Sequence, residues 1–76
     1  MIDLSSIRCS AGMTQVQLAV ALNTSQGQIS RIERQSDMLL STLSAYLTAL
    51  GAHAQIVVEV GEQTVTYNLT AGRGER

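Results

Sequence analysis

Between residues 14 and 34 the apolar side chains recur every three or four positions, with polar side chains between them. This spacing is typical of helices with one buried face. A hydroxyl residue opens each run, Thr14 before Gln15 and Ser25 before Gln26, and such side chains accept hydrogen bonds from the first helical turn. The pattern predicts two short amphipathic helices joined by a tight polar turn. The predicted inward positions are Val16, Leu18, Ala19, Leu22, Ile29 and Ile32.

One further helix is predicted on each side of this pair. The first runs from Asp3 to about Ala11, and Gly12 then supplies the left-handed residue that often ends a helix. Ser41 is predicted to cap the other, which runs to about Leu50. The predicted inward positions of the first helix are Leu4, Ile7, Cys9 and Ala11. Those of the last helix are Leu43, Tyr46, Leu47 and Leu50.

After Gly51 the pattern changes from helical spacing to alternation. Two runs rich in β-branched residues, 55–60 and 64–69, are separated by Gly61-Glu62-Gln63, which is typical of a β-hairpin with a short loop. An isolated hairpin is marginally stable in water, so it must pack on the helices, pair with a second copy or accept a strand from another protein. We expect pairing across a dimer. The expected interface residues are Ile56, Val58, Val60, Val65, Tyr67 and Leu69.

These elements predict a mainly α fold of four helices with a C-terminal β-hairpin. The helical part is 1–51, the hairpin is 52–70, and the glycine-rich charged residues 71–76 are predicted to be a flexible tail. A chain of 76 residues forms one small domain, which as a monomer buries only about 60% of its unfolded surface. Burial against a partner would therefore add stability.

The charge pattern is unusual for a protein that binds nucleic acid. The formal net charge is −1, and all five cationic side chains are Arg, so we expect weak non-specific affinity for DNA. Arg8, Arg31 and Arg34 are expected to cluster into a local basic surface. We expect Glu33 to form an ion pair with one of these three, because a carboxylate that faces phosphate would be repelled.

Five dipeptides of the helix pair carry a family resemblance: Thr14-Gln15, Leu18-Ala19, Ser25-Gln26, Ile29-Ser30 and Ile32-Glu33. They resemble the lambda-repressor-like (Cro/C1, XRE) helix-turn-helix family, over roughly Asp3 to Gly51. The resemblance implies a repressor that binds as a dimer to two DNA half-sites. Leu50-Gly51 before the hairpin, together with the segments 31–34 and 41–46, also resembles antitoxins of type II toxin–antitoxin modules, of the HigA and HipB kind, which implies autoregulation and a toxin partner.

The resemblance also implies which residues face DNA. The start of the second helix of the motif enters the major groove, and the start of the preceding helix meets the phosphate backbone. Gln26 and Arg31 are the expected base readers, because Gln pairs with adenine and Arg with guanine. Gly27 lies beside them, and without a long side chain there we expect more reliance on DNA shape. Gln15 is expected to donate to a phosphate. Further contacts with the DNA phosphate backbone are expected from Thr24, Ser25, Gln28, Ser30 and Arg34.

Residues with catalytic or metal-binding chemistry form no pattern that we can place on one face. Cys9 is expected to be a small apolar residue, buried or half-buried, and His53 a surface or satisfied histidine. We therefore predict a protein that is not an enzyme and uses no cofactor or metal. Asp3 interrupts any signal-peptide run and no apolar run reaches ~20 residues, so we expect a cytoplasmic protein. Two functions stay open: a sequence-specific repressor, and a protein-interaction module that works through the hairpin with weak or no DNA binding.

Overall fold

The computed structural model describes residues 3–70, which form four helices followed by a two-stranded antiparallel hairpin. This architecture confirms the predicted fold class. The predicted tail, 71–76, lies outside the described residues. The elements are α1 (Leu4–Ser10), α2 (Gln15–Ala21), α3 (Gln26–Arg34), α4 (Leu40–Ala49), β1 (Gln55–Val60) and β2 (Gln63–Asn68).

Both predicted caps of the central helix pair are confirmed. The Thr14 hydroxyl accepts from the backbone N–H of Gln17 at 3.0 Å, and the Gln17 side chain accepts from the Thr14 N–H at 2.9 Å. This reciprocal capping box satisfies two donors that the helix cannot bond internally. Ser25 caps α3 in the same way, accepting from the N–H of Gln28 at 3.1 Å.

The turn between α2 and α3 depends on Asn23. Its φ of 57° is left-handed, and it is the one described non-glycine residue with positive φ. Asn tolerates this conformation better than most residues. The chain therefore reverses within four residues, and α3 can pack directly on α2.

Helix α1 begins one residue later than predicted, because Asp3 is its N-cap and accepts from the N–H of Ser6 at 3.2 Å. Leu4 is buried and Ile7 is half-buried, as predicted. The expected burial of Cys9 and Ala11 is wrong, since both are exposed. Cys9 lies about 140° around the helix from Leu4, and Ala11 is the C-cap beyond the last helical residue.

The predicted cap of α4 is also wrong. The helix begins at Leu40, its N-cap is Leu39 and no side chain caps it, so Ser41 lies within the first turn rather than ahead of it. A hydroxyl can accept from the first turn only when its residue precedes the helix. The predicted inward face is confirmed, with Tyr46 and Leu47 buried and Leu43 and Leu50 packed against them.

The core is small and lies between the helices. Val16, predicted to face inward, is instead 54% exposed, because Leu18 and Ala19 take the inward face of α2. Leu22 is half-buried and packs against the core. The buried hydrophobic residues are Leu4, Leu18, Ala19, Ile29, Ile32, Tyr46, Leu47 and Leu69.

The hairpin has the predicted alternation with a shorter loop. Ile56 faces Tyr67 and Val58 faces Val65 across the strands, while Val60 pairs with Gln63. The second strand therefore begins at Gln63 rather than at the predicted residue 64. The loop has only two residues, of which Gly61 has a φ of 59°, the positive value that a two-residue hairpin turn needs at its first position.

The base of the hairpin is attached to the helices around Leu69, which is 8% exposed. The Leu69 N–H donates to the carbonyl of Ala54 at 2.9 Å, and its carbonyl accepts from the Ser44 hydroxyl of α4 at 2.7 Å. Thr70 is also buried and accepts from the Ala54 N–H at 3.1 Å. The base of the hairpin is thus part of the helical core, whereas its far end projects from it.

No helix among residues 3–70 combines the length and the apolar character needed to cross a membrane.

We predict that Leu69→Ala lowers the free energy of unfolding by about 3 kcal/mol, because it leaves a cavity beneath the hairpin. Urea denaturation followed by circular dichroism measures the change. Val57→Ala is the matched control, since Val57 is 54% exposed on β1 and its loss should cost no more than about 1 kcal/mol. An equal loss of unfolding free energy in the two variants would show that burial of Leu69 does not stabilise the fold.

Candidate nucleic-acid interface

Helix α3 is divided lengthwise into a buried and an exposed face. Ile29 and Ile32 are buried, with Ile29 fully inaccessible. The opposite arc faces solvent and carries side chains that can form hydrogen bonds or bear positive charge. The exposed residues of this helix are Gln26, Gly27, Arg31 and Arg34.

Gly27 lies on this exposed arc at a helical position. A Cβ built there would meet only the Ser25 hydroxyl, at 3.9 Å, so the protomer itself has room for a side chain. The glycine therefore leaves the α3 backbone uncovered on its outward side. Nothing inside the protomer requires this gap, which supports close approach of a ligand.

The other residues that we predict to contact the DNA phosphate backbone lie in different environments. Thr24 and Ser25 are exposed at the start of α3, and Ser25 is engaged as its cap. Gln28 lies half-buried on the flank of the helix. Ser30 is also half-buried and accepts from Arg34 Nη1 at 2.6 Å, which holds that guanidinium along the helix.

Behind the exposed arc, the Glu33 carboxylate collects donors from the other three helices. Oε2 accepts from Arg8 Nε of α1 at 2.6 Å and from the Tyr46 hydroxyl of α4 at 2.6 Å. Oε1 accepts from Gln15 Nε2 of α2 at 2.9 Å and from Arg8 Nη2 at 3.4 Å. The ion pair is largely shielded from water, with side-chain exposures of 12% for Arg8 and 6% for Glu33. We call these four residues the Glu33 cluster.

Two surrounding contacts complete the Glu33 cluster. Arg8 Nη1 donates to the carbonyl of Met13 at 3.0 Å, which ties the ion pair to the segment between α1 and α2. The carbonyl of Leu4 lies 3.2 Å from the Tyr46 hydroxyl. The side chain of Tyr46 is fully buried, so its phenol needs polar partners and finds them only here.

The ionisation of the Glu33 cluster follows from these contacts. Burial by itself would raise the pKa of Glu33, but the hydrogen bonds from Arg8, Tyr46 and Gln15 outweigh it and hold that pKa below its ordinary value. Burial and the hydrogen bond to Glu33 raise the pKa of the Tyr46 phenol. At neutral pH the cluster therefore holds an ionised carboxylate and a neutral phenol.

The Glu33 cluster reaches the exposed arc through Gln15. While Gln15 Nε2 donates to Glu33, its Oε1 accepts from Gln26 Nε2 at 3.1 Å. The two predicted contact residues of α2 and α3 are therefore bonded to each other. Because Gln15 is half-buried and Gln26 exposed, the chain of bonds runs from the interior to the surface.

Charge on this face is sparser than the sequence suggested. Arg8, which was expected to join a basic cluster, is instead paired with Glu33, so its charge is compensated. The prediction that Glu33 pairs with an arginine is confirmed, with Arg8 as the partner. Arg31 and Arg34 are the exposed cations of α3.

The residues predicted to form the dimer interface separate into two groups. Ile56 is half-buried and packs against the core, and Leu69 lies within the core, so Leu69 does not offer a surface to a partner. The other four are apolar and exposed, two on each strand. They are Val58, Val60, Val65 and Tyr67.

Sequence reasoning missed Tyr46 and Gln17 as polar partners. Tyr46 was assigned only to the apolar face of its helix, yet a buried phenol always signals a need for a hydrogen-bond partner. Gln17 stands three residues after Thr14, which is the spacing of a capping box. Cys9 and His53 are exposed and lie outside the interactions described above.

A comparison with protein families matches residues 4–56 to the family described as helix-turn-helix. Two proteins of Mycobacterium tuberculosis (strain ATCC 25618 / H37Rv) are similar in sequence. "Putative antitoxin HigA3" is 42% identical over 65 residues, covering 82% of this chain and 60% of the relative. "Putative antitoxin HigA2" is 34% identical over 65 residues, covering 83% and 64%. The chain thus spans less than two thirds of the length of these relatives.

Two solved structures have the same fold. One, described as "DNA bound antitoxin HigA3", superposes with a TM-score of 0.78 at 39% identity, covering 87% of this chain and 88% of that chain. The other, described as "Induced DNA bending by unique dimerization of HigA antitoxin", gives a TM-score of 0.74 at 38% identity, covering 87% and 92%.

We predict that Glu33→Gln lowers the free energy of unfolding at pH 7 by about 3 kcal/mol, because Arg8 loses a shielded counter-charge. The pKa of Glu33 is lower in the folded chain than in the unfolded one. Its contribution is therefore present above the unfolded value of about 4.3 and is lost as the pH falls through the folded value. Urea denaturation should show that the difference from wild type narrows below about pH 4.

The matched control is Glu59→Gln, which removes an exposed carboxylate from β1 and should change stability by less than about 0.5 kcal/mol. A stability difference between Glu33→Gln and wild type that stays constant from pH 7 to pH 3 would contradict the assigned role of the carboxylate.

Proposed function

This chain belongs to the helix-turn-helix family, and on that premise we propose that it is a sequence-specific DNA-binding repressor of the antitoxin type. It binds as a homodimer to an operator with two half-sites and regulates its own operon. The observation that carries the proposal is the exposed arc of α3, whose polar side chains face solvent while Ile29 and Ile32 bury the other face. A binding role of this kind requires no catalytic group, and it operates in the cytoplasm, where the DNA is.

The comparisons support the DNA partner. A similar structure described as DNA-bound shares 39% of the sequence and has a TM-score of 0.78. In this proposal Gln26 and Arg31 read base edges, with Gly27 beside them allowing close approach. The contacts to the phosphate backbone come from Gln15, Thr24, Ser25, Gln28, Ser30 and Arg34.

The low net charge defines how such a repressor would bind. Few cations mean few released counterions, so non-specific binding is weak. Selectivity then comes from oriented hydrogen bonds, and affinity from two half-sites bound by one dimer. The antitoxin part of the proposal, with a cognate toxin as partner, is supported by relatives that carry that name.

The hairpin supports the proposed dimer. Four exposed apolar residues lie on one face of a two-stranded sheet, and in residues 3–70 each strand has one unpaired edge. Exposed edges and apolar patches are rarely left uncovered. Pairing of two hairpins would cover both and would hold two α3 helices in a fixed relation. The description of one similar structure refers to dimerization.

We predict that Gln26→Ala weakens binding to operator DNA by about 10-fold or more, since a bidentate base contact is worth ~1–3 kcal/mol, with little change on scrambled DNA. The measurement is a fluorescence-anisotropy titration onto the upstream promoter DNA and a scrambled duplex at two salt concentrations. Gln55→Ala, the same change at an exposed position of β1 on the sheet face opposite Val60 and Val65, is the matched control and should bind like wild type. Equal, weak binding of the wild-type protein to both duplexes would contradict the repressor proposal. It would favour a protein-interaction module that works through the hairpin.

We predict that Val65→Lys raises the dimer dissociation constant by at least about 10-fold, because a buried Val contributes ~1.5–3 kcal/mol and the interface contains it twice. Sedimentation velocity over a concentration series measures the change. The control is Thr66→Lys, which adds the same charge to the neighbouring exposed position on the other face of β2. If both variants dissociate alike, the apolar face is not the interface.

A further inference from the structure

We propose that Glu33 selects the base read by Gln26, by fixing through Gln15 which hydrogen-bonding groups the Gln26 amide presents to DNA. Glu33 is a positioning residue in this scheme, since it acts through two side chains and does not touch DNA. The inference rests on the proposed DNA-binding function and specifies adenine as the base recognised at that position.

The first step is the fixed polarity of the carboxylate. An ionised carboxylate only accepts hydrogen bonds, and the contacts that lower the pKa of Glu33 keep it ionised at neutral pH. Arg8 and Tyr46 both hold Oε2 at 2.6 Å, so the group cannot rotate freely. Oε1 faces Gln15 as a fixed acceptor at 2.9 Å, with Arg8 Nη2 as a longer second donor at 3.4 Å.

The second step is the orientation of Gln15. A side-chain amide in isolation can point either end toward a neighbour, and the two orientations differ only in their hydrogen bonds. Here the acceptor at Glu33 requires the Gln15 NH₂ group, at 2.9 Å. The Gln15 carbonyl oxygen is therefore directed to Gln26, and its second N–H is left to donate to a phosphate.

The third step is the orientation of Gln26. Facing a carbonyl oxygen, Gln26 must donate, which it does from Nε2 to Gln15 Oε1 at 3.1 Å. One N–H and the carbonyl oxygen of Gln26 remain for an outside partner. Adenine presents the matching pair in the major groove, the N7 acceptor and the N6 donor, whereas guanine presents two acceptors. The free carbonyl oxygen of Gln26 would face guanine O6 unfavourably.

The relay can be separated from the stability of the Glu33 cluster. Gln15→Met removes both relay bonds and leaves the contacts of Glu33 with Arg8 and Tyr46 in place. Tyr46→Phe weakens the cluster and leaves the bonds of Gln15 untouched. A purely structural role for Glu33 predicts similar effects of the two variants on base preference, while the relay predicts different ones.

The experiment selects DNA from a pool of random 20-base-pair duplexes with the full chain and sequences the bound fraction. The position read by Gln26 is the one whose base preference is lost with Gln26→Ala. We expect wild type to favour A·T over G·C there by about 10-fold. Gln15→Met should reduce this preference to about 2-fold or less, and Tyr46→Phe should leave it unchanged. Loss of a phosphate contact alone would weaken all sequences equally and could not produce this result.

Glu33→Gln provides a second, directional test at a temperature where the variant is folded. The amide oxygen at position 33 should keep the two donors at 2.6 Å, Arg8 Nε and the Tyr46 hydroxyl, because Arg8 Nη2 on the other side is farther away, at 3.4 Å. The NH₂ group then turns toward Gln15, which reverses both downstream amides. Gln26 then presents its NH₂ group to DNA, so the preference should move from adenine toward guanine, whose edge carries two acceptors.

The outcomes distinguish the two proposals. If wild type enriches no sequence over the input pool, the DNA-binding function is overturned and the relay with it. An enriched motif whose preference at the Gln26 position is the same in Gln15→Met overturns the relay alone. So does a motif in which Tyr46→Phe loses the preference as fully as Gln15→Met does.

Discussion

The arrangement of the four helices depends on the buried carboxylate of Glu33. A charge with 6% exposure would destabilise the fold if it lacked partners. Arg8, Gln15 and Tyr46 supply them, each from a different helix. Apolar contacts are not directional and alone would allow small shifts or rotations of α3. Hydrogen bonds to the Glu33 carboxylate have preferred directions and restrict such movements. The orientation of the exposed helix is therefore set from inside the protein.

In the proposed DNA complex, the same carboxylate would link stability to recognition. Gln15 bonds the cluster at one end and Gln26 at the other, so a group on the exposed face is oriented before any ligand arrives. This matters more here than in a basic protein, because the net charge is −1 and Arg8 is occupied by its ion pair. Ordered amides lose less freedom on binding than mobile ones, which compensates for scarce positive charge.

The hairpin serves two purposes along its length. Leu69 and its bonds to Ala54 and Ser44 attach the base to the helical core. Towards the tip, apolar side chains such as Val60 and Val65 remain exposed, which a monomer in water does not favour. In the proposed dimer, the helical domain would hold this surface in place against a second copy, and the fold of each protomer would set the dimer geometry.

Local chemistry allowed the sequence by itself to determine the helix pair, the caps Thr14 and Ser25, and the hairpin, because each is encoded within a few residues. The prediction was wrong where the local sequence allowed more than one helix start, as with the N-cap assigned to Ser41. The sequence predicted only part of the Glu33 cluster, namely an arginine partner for Glu33. The partner proved to be Arg8, which lies 25 positions away along the chain, and the Tyr46 contact spans 13 positions. Such contacts depend on how the helices pack together, and spacing along the chain does not specify that packing. Only the tertiary structure could therefore decide which charges are paired, which apolar residues are buried, and which amides face outward.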